Sequence, residues 1–183
     1  MKKILLMGAI GLSVFSFGQI ESNPVQYTEV VKISDSSKTA KQLYASAKMW
    51  FTKSFKNPKD VLALDDSDNS ILVGKGTMRY NSKIFMGSGA RQGFISFDVN
   101  IACKDGRYKY EIGNFQHTGN NSNYGIITTD EQLPTMTSWN TGPENFRKKV
   151  TKEIKDMIDE NIKPLIDLLK AEMDKKPISK EDW

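Results

Sequence analysis

Hydrophobic and polar residues alternate most regularly between Phe94 and Phe115, in the run FISFDVNIACKDGRYKYEIGNF. Asp105 and Gly106 interrupt the alternation. An Asp-Gly pair between two such runs predicts a tight hairpin, because a type I′ turn needs positive φ at both central residues. The turn fixes the register: Lys104 opposes Arg107, Cys103 opposes Tyr108, Ile101 opposes Tyr110 and Val99 opposes Ile112. Ile95 and Phe97 continue that apolar side, whereas Ser96, Asp98, Asn100, Lys104, Lys109 and Glu111 share the other. The pattern predicts an antiparallel sheet with one covered face.

The same periodicities organise the rest of the chain. Val25 to Ile33 predicts a strand with Val25, Tyr27, Val31 and Ile33 on one side, where Glu29 is an exception that suits a sheet edge. Ser37 is the expected N-cap of a helix from Thr39 to about Phe55, whose apolar stripe is Ala40, Leu43, Tyr44, Ala47, Trp50, Phe51 and Phe55. Asn57-Pro58 stops it. Strands are predicted at Val61 to Asp65 and Ser70 to Tyr80, with Gly74 and Gly76 signalling a bulge or a close approach. An insertion, Asn81 to Gly93, precedes the central hairpin, and a long polar loop, Thr118 to Gly142, follows it. Pro143 opens a last amphipathic helix that runs to about Lys175, a length of roughly 48 Å at about 1.5 Å per residue. Pro164 should kink it, and the part beyond should overhang or bend back. The predicted order is β-α-β-β-β-β-α, an α+β fold with both helices on one face of a curved five-stranded sheet.

Charge and cysteine usage add the chain's expected surroundings. Lys2 and Lys3, the apolar run Ile4 to Phe17 and the small-residue site at Ser16-Phe17-Gly18 form a signal-peptide pattern over residues 1–18, with cleavage after Gly18. The apolar run falls short of the roughly 20 residues needed to span a bilayer. With no cysteine at the cleavage site, lipid attachment there is not expected, so the mature protein should be secreted or periplasmic and free of a membrane span. Residues 19–24 form a connector, 25–175 a single domain and 176–183 a tail. The formal charge of +4 falls to about +2 without the leader, which selects no partner by itself. Cys103, the single cysteine, lies on the apolar side of the hairpin and suits a buried thiol.

Candidate chemistry is sparse. Asp65, Asp66 and Asp68 suggest calcium, but counting from Asp66 puts Ile71 where a calcium loop needs Gly and Thr77 where it needs Glu, so a hairpin turn is the reading. Gly87, Gly89 and Gly93 precede a strand, not a helix, which argues against phosphate binding. His117 has no second imidazole or nearby thiol for zinc. A hydrolase would have to use Asp98, Glu111 and His117; in the predicted register Asp98 opposes Gly113 and Asn100 opposes Glu111, which makes the carboxylates diagonal neighbours on an open face. No catalytic, cofactor-binding or metal-binding residue is assigned. The candidate interaction surface is Phe85, Met86, Arg91, Tyr124 and Trp139, on the two long loops.

The run from Val30 through Leu43-Tyr44 to Trp50, together with Val99 to Tyr108 and its Lys104-Asp105-Gly106-Arg107-Tyr108 turn, resembles the DUF4468 family, secreted proteins of Bacteroidetes with a TATA-binding-protein-like (TBP-like) fold. The resemblance covers about Tyr27 to Phe115. It implies the fold and no activity, so no site residue is carried over from it. Nucleic-acid binding by fold analogy requires a face rich in Arg, Lys and intercalating aromatics, whereas the predicted polar face mixes Asp98, Glu111 and Lys109. The sequence therefore predicts a non-enzymatic binding module without cofactor. Its polar sheet face and two long loops would hold a protein, peptide or glycan of the cell envelope, and not nucleic acid.

Overall fold

The computed structural model describes residues 23–133 and 142–175. In chain order the elements are β1 (Tyr27–Lys32), α1 (Ala40–Ser54), α2 (Pro58–Val61), β2 (Leu62–Asp66), β3 (Ile71–Tyr80), α3 (Ser88–Arg91), β4 (Gly93–Lys104), β5 (Arg107–Gly119), β6 (Gly125–Ile126) and α4 (Glu144–Asp174). The expected signal peptide, the expected tail and Trp139 lie outside the described residues. All strand pairs are antiparallel, in the order β1-β5-β4-β3-β2, with β6 also on β5.

The central hairpin has the register its turn dictates: Cys103 pairs with Tyr108, Ile101 with Tyr110 and Val99 with Ile112. Gly106 has φ +70, and a side chain there would also crowd the Ser36 carbonyl. The register slips once, between Ser96 and Asp98, where Asn114 takes φ 53 and absorbs an extra residue in β5. This slip keeps Phe97 and Phe115 on the covered face, their rings 5.7 Å apart.

One core joins that face to both long helices. Leu43, Ala47, Trp50 and Phe51 of α1 are buried, and so are Val150, Ile154, Ile158, Ile162, Ile166, Leu169 and Met173 of α4. Gly74 and Gly76 mark close approach: a Cβ on Gly74 would meet the Phe51 ring at 2.5 Å, and one on Gly76 the Phe97 ring at 2.2 Å. Here the missing side chains make room for aromatic rings on the strand.

Three expectations are corrected. The N-cap of α1 is Thr39, which forms a reciprocal capping box with Gln42, while the backbone N–H of Ser37 donates to Asp35 at 3.1 Å. The sheet has a sixth strand, because Gly125–Ile126 of the long loop pairs with His117 and Gln116. Chain 23–25 then pairs with this loop, through Val25 N–H to Ile127 carbonyl (2.9 Å) and Thr129 N–H to Asn23 carbonyl (2.8 Å). Helix α4 is continuous through Pro164 and does not overhang. Trp50 Nε1 donates to the Leu165 carbonyl at 3.2 Å, Lys53 pairs with Glu172 at 2.8 Å, and the buried Lys38 ammonium caps α4 by donating to the Met173 and Lys175 carbonyls at 2.6 Å each.

A second cap explains the hairpin tip. Asp105 accepts from Ala40 N–H at 2.7 Å at the start of α1, and Gly106 N–H donates to the Lys38 carbonyl at 2.9 Å. The tip is thus a helix cap as well as a turn, and one short loop carries contacts to α1, α4 and the hairpin.

Candidate functional site

Tyrosines border the covered face, and their hydroxyls meet carboxylates. Tyr80 donates to Glu153 at 2.6 Å, Tyr110 to Glu29 at 2.9 Å, Tyr27 to Asp159 and Tyr44 to Asp65. Burial pushes the Tyr110 and Tyr44 hydroxyls up to about 12, with the neighbouring carboxylates adding to the shift. Burial opposes ionisation of Glu153, but hydrogen bonds from Tyr80, Ser82 and the Lys83 backbone outweigh it and hold the carboxyl below its usual range. These pairs fasten α4 to β1 and β3, and α1 to β2.

His117 lies inside the structure, paired with Ile95 on one side and Gly125 on the other. It is 1 % exposed, its Nδ1 accepts from Tyr124 N–H at 3.3 Å, and its Nε2 lies 2.9 Å from the Arg91 carbonyl. The first bond makes Nδ1 the acceptor, so Nε2 carries the proton and donates. Burial pushes its pKa down and keeps the ring neutral. Asp98 and Glu111 occupy the opposite face of the sheet, so the three candidate hydrolase residues do not converge. Asp98 accepts from Asn114 Nδ2 at 2.8 Å, Glu111 pairs with Lys109 at 3.3 Å, and together they line a shallow depression of about 250 Å³. Burial also pushes the Cys103 thiol up to about 12, which keeps it protonated. Among the described residues no group of three or more His, Cys, Asp or Glu is placed to hold a metal.

The loop candidates separate. Arg91 is 1 % exposed: its guanidinium donates to the Met86 carbonyl (2.6 Å), the Ile84 carbonyl (2.7 Å) and Ser82 Oγ (3.1 Å), and it lies over the Phe146 ring. Tyr124 is buried against His117. Both residues build the interior rather than the surface. The backbone carbonyls that draw Arg91 inward leave no mark in the sequence. Phe85, between the two gripped carbonyls, is 95 % exposed, and Met86 is exposed beside it.

The remaining candidate is the sheet's uncovered face. Among the described residues eight large hydrophobic side chains are exposed, and half of them, Val30, Leu64, Phe94 and Ile126, belong to it. Register lays the face out in rows across the strands. Lys32, Arg107 and Lys104 form the row at the hairpin end. Val30, Lys109, Ala102 and Ile71 form the next, and Thr28, Glu111, Asn100, Val73 and Leu64 the third. A depression of about 470 Å³ lies over the first two rows, lined by Val30, Ala102, Lys104, Arg107, Tyr108 and Lys109. Among the described residues no helix is long and apolar enough to cross a membrane.

Comparison with known proteins bears on the fold. No curated protein matches this chain. Solved structures similar to it include a DUF4468 family protein from Bacteroides ovatus (15 % identity, TM-score 0.53, covering 84 % of this chain and 90 % of that one) and a TBP-like protein from Parabacteroides distasonis (12 %, 0.51, covering 80 % and 92 %). The family described as "domain of unknown function (DUF4468) with TBP-like fold" matches residues 27–118, and the chain belongs to that family.

Proposed function

We propose that the protein is a non-enzymatic binding module, exported to the cell envelope or beyond, that holds a protein, peptide or glycan on the uncovered face of its sheet. The observation that carries this reading is the contrast in exposure across one sheet: two helices seal one face, while the other leaves Val30, Leu64, Phe94 and Ile126 in water. An apolar surface kept in solvent is a liability that a binding role explains. The Phe85–Met86 tip supports the same reading from the side, since the buried Arg91 fixes the carbonyls on either side of Phe85 and so limits the ordering cost of a contact there.

Retention of the purified mature protein on immobilised envelope extract tests the proposal. Phe94→Glu, Leu64→Glu and Phe85→Ser, each checked for an unchanged melting transition, should weaken retention. Undiminished retention of all three folded variants would count against it.

A further inference from the structure

We infer that the hairpin end of the uncovered face is a docking site for an acidic peptide segment that also carries apolar side chains. This rests on the open-face reading above and narrows it to one end of the face and one ligand chemistry.

The hairpin end of the open face carries cationic side chains left without partners. Lys32, Arg107 and Lys104 are exposed neighbours on β1, β5 and β4, and none of their side chains has a hydrogen-bond or ion-pair partner among the described residues. Lys109, in the next row, has only Glu111 at 3.3 Å. Three acids of the neighbouring elements are engaged elsewhere. Asp105, at the hairpin tip, caps α1 through Ala40 N–H. Asp66, paired with Ile71 at the other side of the sheet, accepts from the backbone N–H groups of Asp68 and Asn69 at 3.1 and 3.0 Å. Glu29 points to the covered side, where Lys170 and Tyr110 hold it.

Geometry then selects the occupant. With strands about 4.8 Å apart, the three side chains are rooted across roughly 10 Å of the sheet, a span that several carboxylates along one segment match. The row behind them supplies an apolar floor, Val30 and Ala102, with Val30 58 % exposed. That floor lies between longer lysine and arginine side chains, so a flat bilayer would meet ammonium groups before it reached Val30. A second copy would bring the same cations against these. A nucleic-acid strand continuing inward would run its phosphates onto Glu111 and Asp98. A short segment with several carboxylates beside apolar side chains matches both rows.

The test uses the mature protein and an array of synthetic amphipathic peptides of equal length in acidic, neutral and basic versions, with acidic peptides lacking apolar residues as a further arm. Acidic amphipathic peptides should be retained above all others. Lys104→Glu with Arg107→Glu should reduce that retention by at least about tenfold, while Lys41→Glu on the exposed side of α1 leaves it unchanged. Val30→Ser should cost a smaller factor without altering the charge preference. Equal retention of acidic peptides with and without apolar residues would overturn the inference. So would retention of duplex DNA or anionic phosphatidylglycerol vesicles through the same two residues, or no preference for acidic peptides at all. If the array shows none but Phe94→Glu still abolishes retention on envelope extract, the inference falls and the open-face reading stands. If neither end of the face affects that retention, both fall.

Discussion

Leu64 and Leu72 lie one step apart on the paired strands β2 and β3, yet Leu72 is 1 % exposed and Leu64 is 48 % exposed. The difference is the side of the pleat. Leu72 faces the helices among Phe51, Ile101 and the rest of the core, whereas Leu64 faces outward beside Val73. The same contrast holds across the molecule. On the covered face, tyrosine hydroxyls meet carboxylates and a buried His and Arg have backbone partners. On the uncovered face, hydrophobic residues stand in water and the side chains of Lys32, Lys104 and Arg107 have no partner among the described residues. One face is built for stability, and the other leaves surface available for contact.

The largest expected effect is a cavity on the covered side. Leu72→Ala removes a fully buried side chain and should cost about 2–5 kcal/mol, read as a lower urea midpoint with an unchanged slope. Phe51→Ala belongs to the same class, about 3–5 kcal/mol, because its ring lies where Gly74 leaves space and no neighbour can collapse into the gap without moving a strand.

Acid is the next way to separate the faces. Folding holds His117 neutral, so below about pH 6.5 the unfolded chain binds a proton that the folded one refuses, and stability falls as pH drops. Glu153, Asp159 and Glu29 add a second loss at lower pH. Their carboxyls lie below the ordinary range in the fold, so their contribution is present above about pH 4.5 and disappears as pH falls through the folded values. At the alkaline end Cys103 and Tyr110 act oppositely: both are raised to about 12, so stability declines from about pH 9 upward, where the unfolded thiol ionises first. Melting temperature against pH should therefore be a plateau between about 6.5 and 9. Tyr80→Phe, which removes a donor to Glu153, should lower the plateau and make the acid limb shallower, because the folded carboxyl then lies nearer its unfolded range. An acid limb of unchanged steepness in Tyr80→Phe would show that the hydroxyl does not hold Glu153 ionised.

Asp105→Ala should cost about 1 kcal/mol, the ordinary range for losing a helix cap, with Asp105→Asn losing less because the amide oxygen still accepts from Ala40 N–H. This residue also shows how far the sequence was legible. Asp105 was readable as a turn former because turn chemistry is local. Its cap on α1 was not, because it joins residues 65 positions apart. The hairpin register and both helix stripes were legible for the same reason as the turn, since each repeats within a few residues. Strand β6 was not: two paired residues are too few for any period to show, and its partner β5 is chosen by the fold. The end of α4 misled in the other direction, because helix length alone predicts an overhang beyond Pro164 while the packing of Ile166, Leu169 and Met173 keeps that part on the core. Among the loop candidates, Phe85 and Met86 were legible as apolar residues outside any periodic run. Arg91 was placed on the surface because a cation defaults there, and only three-dimensional closure brings the carbonyls that bury it.

The smallest expected effect is the sharpest control on the comparison. Leu64→Ala changes the same residue type as Leu72→Ala, on the neighbouring strand, but removes a side chain already half in water. Its cost should be within about 0.5 kcal/mol, and retention on envelope extract should fall more than the melting temperature does. Strand propensity alone would shift the two leucines by similar amounts, because both sit in paired strands. A large gap between them therefore isolates burial as the cause. If Leu64→Ala instead costs as much as Leu72→Ala in the isolated protein, the face described as open is covered in solution, and its hydrophobic residues are part of a core.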